Sequence, residues 1–210
     1  MFTKAIESCD GNFCMSKHFP LVTTLNPGEL VFNNGSTVLK TLLGSCVAVV
    51  VWHPELKIGG MCHYLLPELI NKKSLLPSSN FADDVVRILK ENVGEIGTDP
   101  ADYWVGVYGG SNMFPELHEG CRLRTKSVTY NHKDCAGTSV SCRNCRAAYI
   151  ETERHGFKIS EADLGGNYCR IISLNTETGI VEVKANTQYV NSLAKLRSFQ
   201  GVDWKNGTLD

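Results

Sequence analysis

Cys46-Val-Ala-Val-Val-Val-Trp52, His53-Pro54-Glu55-Leu56-Lys57 and Ile58-Gly-Gly-Met-Cys-His63-Tyr-Leu-Leu66 follow one another without a break. The first run is apolar throughout, so its strand must be covered on both faces, as a central strand is. The polar middle carries a proline and ends the run. The third run is apolar again and stops at Pro67. Two apolar strands joined by a short polar loop pair as an antiparallel hairpin. Opposed residues in such a pair have numbers of constant sum, and a turn centred between Pro54 and Glu55 sets that sum at 109. Cys46 and His63 then face each other. Opposed side chains share a face, with Cβ atoms roughly 4.5–5.5 Å apart. A thiol and an imidazole so placed can hydrogen-bond, the first requirement of a Cys-His dyad. A bulge in the loop would slip the register and break the pairing.

Upstream, Gly44-Ser45 breaks a strand expected over Val38–Leu43. A tight turn leaves backbone N–H groups free of ladder partners, and these can hold the oxyanion of a tetrahedral intermediate. Gly44 and Ser45 are therefore the expected oxyanion and turn support. A free cysteine is only slightly ionised at neutral pH, and a neighbouring imidazole raises its thiolate fraction. A third group normally orients the histidine. Thr41 offers the nearest hydroxyl on the preceding strand, with Ser45 as the other candidate. The plain alternatives are that Cys46 is a small packed hydrophobe, His63 a core histidine and Thr41 an ordinary strand residue.

The rest of the chain mixes strands and helices without regular βαβ alternation. A run begins at Leu21 and turns at Asn26-Pro27-Gly28. Glu29–Phe32 reads as a short strand closed by Asn33-Asn34-Gly35. Helical spacing of Phe81, Val85, Ile88 and Leu89 predicts a helix, with Asn80 as its N-cap. Trp104–Tyr108 reads as a strand, Cys145–His155 as a helix, and Ile171–Leu174 with Ile180–Val183 as a hairpin. Tyr189, Leu193 and Leu196 suggest a last short helix. The expected fold class is α/β, a mixed β-sheet sandwich flanked by helices. The expected domains are a flexible tail over 1–19, one domain over 20–187 with an insertion at about 115–139, and an extension over 188–210.

At 210 residues, with 42% apolar and 20% charged residues, the chain suits one ordinary globular domain. A net charge of -1, with acids and bases dispersed, gives no footprint for nucleic acid or an anionic membrane. No run is long enough to span a bilayer, and the start lacks a secretory signature. A cytoplasmic protein is expected, so its nine cysteines are expected to be free thiols rather than a disulfide framework. His132, Cys135, Cys142 and Cys145, with Cys121 nearby, have zinc-like spacing, but the short gap between the two halves is unusual. No metal and no cofactor is expected. Cys62 should point away from His63.

Five blocks, in order, carry a resemblance. They are Thr41-Leu-Leu-Gly-Ser-Cys46-Val, Ile58-Gly-Gly-Met-Cys-His63-Tyr-Leu-Leu-Pro67, Gly109-Gly110-Ser-Asn112-Met-Phe114, the pair Arg143-Asn144, and Asp163-Leu-Gly-Gly-Asn-Tyr168-Cys-Arg170. Together the chain resembles the CheD family of chemoreceptor glutamine deamidases. The resemblance implies a fold similar to the cytotoxic necrotizing factor deamidases. It implies a protein-glutamine glutaminase that converts glutamines of methyl-accepting chemotaxis receptors to glutamate and releases ammonia. It implies a catalytic Cys46, His63 and Thr41, although the family threonine often lies one residue further upstream. A CheC-like phosphatase is an implied partner. The family often has a lysine where this chain has Gly106, and an Arg-Tyr where it has Asn80-Phe81. Two other readings remain: a non-catalytic interaction module that binds receptors or CheC, and a redox or zinc-dependent regulator.

Overall fold

The computed structural model describes residues 20–33, 35–68, 77–114 and 137–186. Chain order is β1 (Leu21–Thr24), β2 (Leu30–Asn33), β3 (Thr37–Leu43), β4 (Val47–His53), β5 (Ile58–Tyr64), α1 (Ala82–Glu95), β6 (Trp104–Gly109), α2 (Val140–Arg154), β7 (Ile159–Leu164), β8 (Cys169–Asn175) and β9 (Val181–Asn186). One sheet has the order β1-β3-β8-β9 and the other β2-β5-β4-β6-β7, each mixing parallel with antiparallel pairs. No helix among the described residues is long and apolar enough to cross a membrane.

β4 is the middle strand of the five-stranded sheet, and only Trp52 along it is not fully buried. Its two faces build two cores. Ala48 and Val50, with Met61, meet Leu39, Leu43 and Ile172 of the other sheet. Val47, Val49 and Val51, with Cys62 and Tyr64, meet Val85, Leu89, Cys145 and Ala148 of the helices. The helices thus cover one side only, and the layers run sheet, sheet, helices. β3 shows why the outer sheet pairs as it does. Thr37, Leu39, Thr41 and Leu43 are buried while Lys40 and Leu42 are exposed, so the period-2 pattern turns one row inward.

The β4–β5 register corrects the expected pairing. Val47 pairs with Tyr64, Ala48 with His63 and His53 with Ile58, a constant sum of 111 rather than 109. The connection is wider than a tight turn. Lys57 N–H donates to His53 O at 2.9 Å, and Lys57 itself has a φ of 52°. This i→i+4 closure moves the loop centre to between Glu55 and Leu56. Cys46 therefore lies just before β4 and does not stand opposite His63. The two sums differ by two, so side-chain parity survives and Cys46 keeps the face of Ala48 and His63.

Three smaller expectations also change. Phe81, not Asn80, is the N-cap of α1, and it makes no side-chain cap. The helix expected from Cys145 starts at Val140, capped by the Ser139 side chain, which accepts from Cys142 N–H at 3.3 Å. β7 was not anticipated. Tail residues 1–19, Asn34, Cys121, His132, Cys135 and the stretch from 187 onward lie outside the described residues.

Candidate active site

Thr41 and His63 meet across the inter-sheet core, and Cys46 packs against the same cluster. The inward row of β3 brings Thr41, 1% exposed, and the inward row of β5 brings His63, 2% exposed. Thr41 Oγ1 lies 2.8 Å from Leu25 O and 2.8 Å from His63 Nδ1, bridging the two sheets. A hydroxyl has one proton and the Leu25 carbonyl can only accept. The consistent assignment has Thr41 donating to Leu25 O and accepting from His63 Nδ1–H. The lone pair then sits on Nε2, which is buried and has no hydrogen-bond partner among the described residues.

Cys46 is half-buried and packs against the inter-sheet cluster, the side on which Ala48 and Met61 lie. Its thiol is not hydrogen-bonded to His63 Nε2. Burial pushes the Cys46 thiol up, against hydrogen bonding from Ser45 and its own backbone. Burial also draws His63 down to about 4, opposed by the Leu25 carbonyl and the charge of Glu29. At neutral pH the site holds a thiol and a neutral imidazole, not an ion pair.

The turn that carries Cys46 is fixed through its carbonyls. Gly44 O accepts from Ser111 N–H at 2.8 Å and Cys46 O from Gly110 N–H at 2.7 Å. Ser45 O accepts from Asn144 Nδ2 at 2.9 Å. Trans peptides point C=O and the following N–H in opposite directions. The N–H groups of Ser45, Cys46 and Val47 therefore point away from these three partners. Gly109 has a φ of 114°, and a Cβ there would strike Cys46 O, so only glycine lets the two backbones approach this closely.

Behind that contact lies a buried ion pair. Arg170 is fully buried, its Nη2 is 3.0 Å from Asp163 Oδ1, and Asp163 is nearly as buried. Arg170 also donates to Ser111 Oγ at 2.6 Å and Gly165 O at 2.6 Å, and its guanidinium stacks on the Tyr168 ring. The pair thereby anchors the 109–111 loop that holds the cysteine turn. Removing one partner strands a buried charge, which typically costs about 3–5 kcal/mol. Asp163→Ala is expected to lose that much in denaturant unfolding, with activity lost alongside. A loss below about 1 kcal/mol would show that the pair does not anchor the loop.

Cys62 sits on the opposite face of β5, in the helix-side core. Cys142 and Cys145 are buried there too, and no metal-binding cluster of His, Cys, Asp or Glu occurs among the described residues. A groove of about 260 Å³ along α2 is lined by Pro67, Asp83, Arg143, Arg146 and Glu151 among others, but not by Thr41, Cys46 or His63. Sequence reasoning assigned no role to Asn144, Asp163 or Arg170. The signal was present, since Arg143-Asn144 and Asp163 to Arg170 are two of the recurring blocks.

Fold and site define a two-sheet, helix-backed protein with a cysteine, a hydroxyl-held histidine and a pinned glycine turn at one end. Residues 65–185 match the family model described as CheD chemotactic sensory transduction. A Pseudomonas fluorescens protein named "Probable chemoreceptor glutamine deamidase CheD" is 37% identical over 168 residues, covering 79% of this chain and 86% of the relative. A like-named protein of Pseudomonas savastanoi pv. phaseolicola is 38% identical over 160 residues, covering 76% and 82%. The chain belongs to the CheD family.

Proposed function

We propose that this chain is a protein-glutamine glutaminase that converts receptor glutamines to glutamate. The observation that carries this reading is the Thr41–His63 hydrogen bond, which leaves a buried Nε2 lone pair on the face shared with Cys46. As Cys46 Sγ attacks the glutamine side-chain carbonyl, its proton passes to Nε2. The carbonyl electrons move onto oxygen, which the N–H groups of the Gly44–Cys46 turn receive. His63 returns the proton to the departing nitrogen, and ammonia leaves a thioester. Water then attacks the thioester, giving its proton to Nε2. Collapse releases glutamate and restores the thiol. The lack of a Cys46–His63 hydrogen bond is compatible with this order, because catalytic hydrogen bonds often tighten only when substrate binds.

The finer reading follows the family. The sheets stack as in the cytotoxic necrotizing factor deamidases, the substrates are methyl-accepting chemotaxis receptors, and a CheC-like phosphatase is a partner. The domain spans about residues 20–187, and the protein works in the cytoplasm. A chain that only bound receptors or CheC would need neither a hydroxyl holding Nδ1 nor a turn with all three carbonyls tied back. Incubation with a receptor cytoplasmic fragment is expected to release ammonia, and no release at high enzyme concentration would refute the reading.

Thr41 acts through His63 by fixing which nitrogen faces the thiol. A neutral hydrogen bond of this kind is worth about 0.5–1.5 kcal/mol. Thr41→Ala is therefore expected to lower kcat about tenfold. Thr41→Ser should keep most activity because it keeps the hydroxyl. Full activity in Thr41→Ala, with Ser45→Ala impaired instead, would move the orienting role to Ser45.

A further inference from the structure

We propose that Asn144 is a positioning residue that, by holding Ser45 C=O, aims the Cys46 N–H at the reacting oxygen. The inference rests on the deamidase reading. Asn144 is fully buried on α2, which otherwise packs on the far side of the five-stranded sheet from His63. Its Nδ2 donates both protons, to Ser45 O at 2.9 Å and to Leu65 O at 2.8 Å. Ser45 immediately precedes the nucleophile, and Leu65 lies two residues beyond the base. Its own backbone carbonyl accepts from Tyr64 Oη at 2.7 Å. One side chain thus ties the end of β5 to the turn before β4, where strand pairing has stopped.

The two acceptors also decide the orientation of the amide. Turning it over would set Oδ1 against two carbonyl oxygens, so the buried, unpartnered Oδ1 is what this double donation leaves behind. Ser45 C=O is held toward α2, and the trans peptide sends Cys46 N–H to the opposite side, the side of His63. An oxyanion donor contributes only when aimed at the position that the oxygen takes in the transition state. Asn144 thus acts on the chemical step without touching substrate.

Asn144→Asp keeps the shape and removes the donors. Oxyanion stabilisation matters to amide hydrolysis and not to alkylation of the thiol, so the two should separate. At neutral pH, kcat for ammonia release is expected to fall about 100-fold, with KM within about threefold. Alkylation of Cys46 by iodoacetamide should change less than about threefold, because Thr41, His63 and the thiol stay in place. Lowering the pH should narrow the gap to wild type, because a protonated carboxyl regains one donor. Asn144→Ser, which keeps one small donor, gives the same comparison if the aspartate variant does not fold. A kcat within about threefold of wild type, or equal losses of kcat and alkylation, would overturn the proposal. The wild type in the same assay separates the two claims: no ammonia release by wild type refutes the deamidase reading, whereas wild-type release with an unchanged kcat in Asn144→Asp refutes only the role of Asn144.

Discussion

Cys46→Ala is expected to abolish ammonia release while leaving circular dichroism and the unfolding midpoint close to wild type. Deleting a nucleophile leaves only binding and residual oxyanion stabilisation, and the rate falls by roughly 10⁴-fold or more. The fold should tolerate the change because Cys46 is held by its backbone. Its carbonyl meets Gly110 N–H, and its neighbours' carbonyls meet Ser111 and Asn144. Its side chain is only part-buried, and no hydrogen bond joins it to His63. Ammonia release within about tenfold of wild type would remove Cys46 from the chemistry.

His63→Ala should be nearly as damaging, lowering kcat by about 10³-fold, since a positioned general base contributes roughly 10²–10⁴. The pH dependence discriminates further. Burial draws His63 down to about 4, so its imidazole is neutral and able to accept a proton throughout the neutral range. Burial pushes the Cys46 thiol up, so no thiolate waits in the free protein. Alkylation of wild-type Cys46 should therefore climb steadily from neutral to alkaline pH. A preformed thiolate–imidazolium pair would instead give a plateau at neutral pH, and a plateau would contradict this account. In His63→Ala the alkylation rate near neutral pH should drop, and an unchanged rate would show that His63 does not activate Cys46.

The faces of this fold were legible in the sequence more than its rungs. An unbroken apolar run from Cys46 to Trp52 could only be a central strand, and it is the middle strand of the larger sheet. The strand expected over Val38–Leu43 begins at Thr37 in the structure, and its alternating burial sets Thr41 in an inward row, where it meets His63 across the sheets. The rung was misjudged because Lys57 takes a left-handed conformation, which favours glycine or asparagine and which a lysine does not announce. Parity outlasted the error because it depends only on whether the shift is even. β7 was hidden for another reason. Ile159–Leu164 places the exposed Ser160 and the buried Asp163 in one strand, and Asp163 is tolerable there only because Arg170 comes back to meet it. The start of α2 was blurred because Cys142, Asn144 and Cys145 all turn inward, each for a different contact, while Ser139 marked the cap.

The most direct measurement follows a receptor cytoplasmic fragment by peptide mass spectrometry, with wild-type protein and Cys46→Ala side by side. Wild type should convert particular glutamines to glutamates in step with ammonia release, and Cys46→Ala should leave every one unchanged. Unconverted glutamines with folded wild-type protein, or the same conversions with Cys46→Ala, would contradict the account.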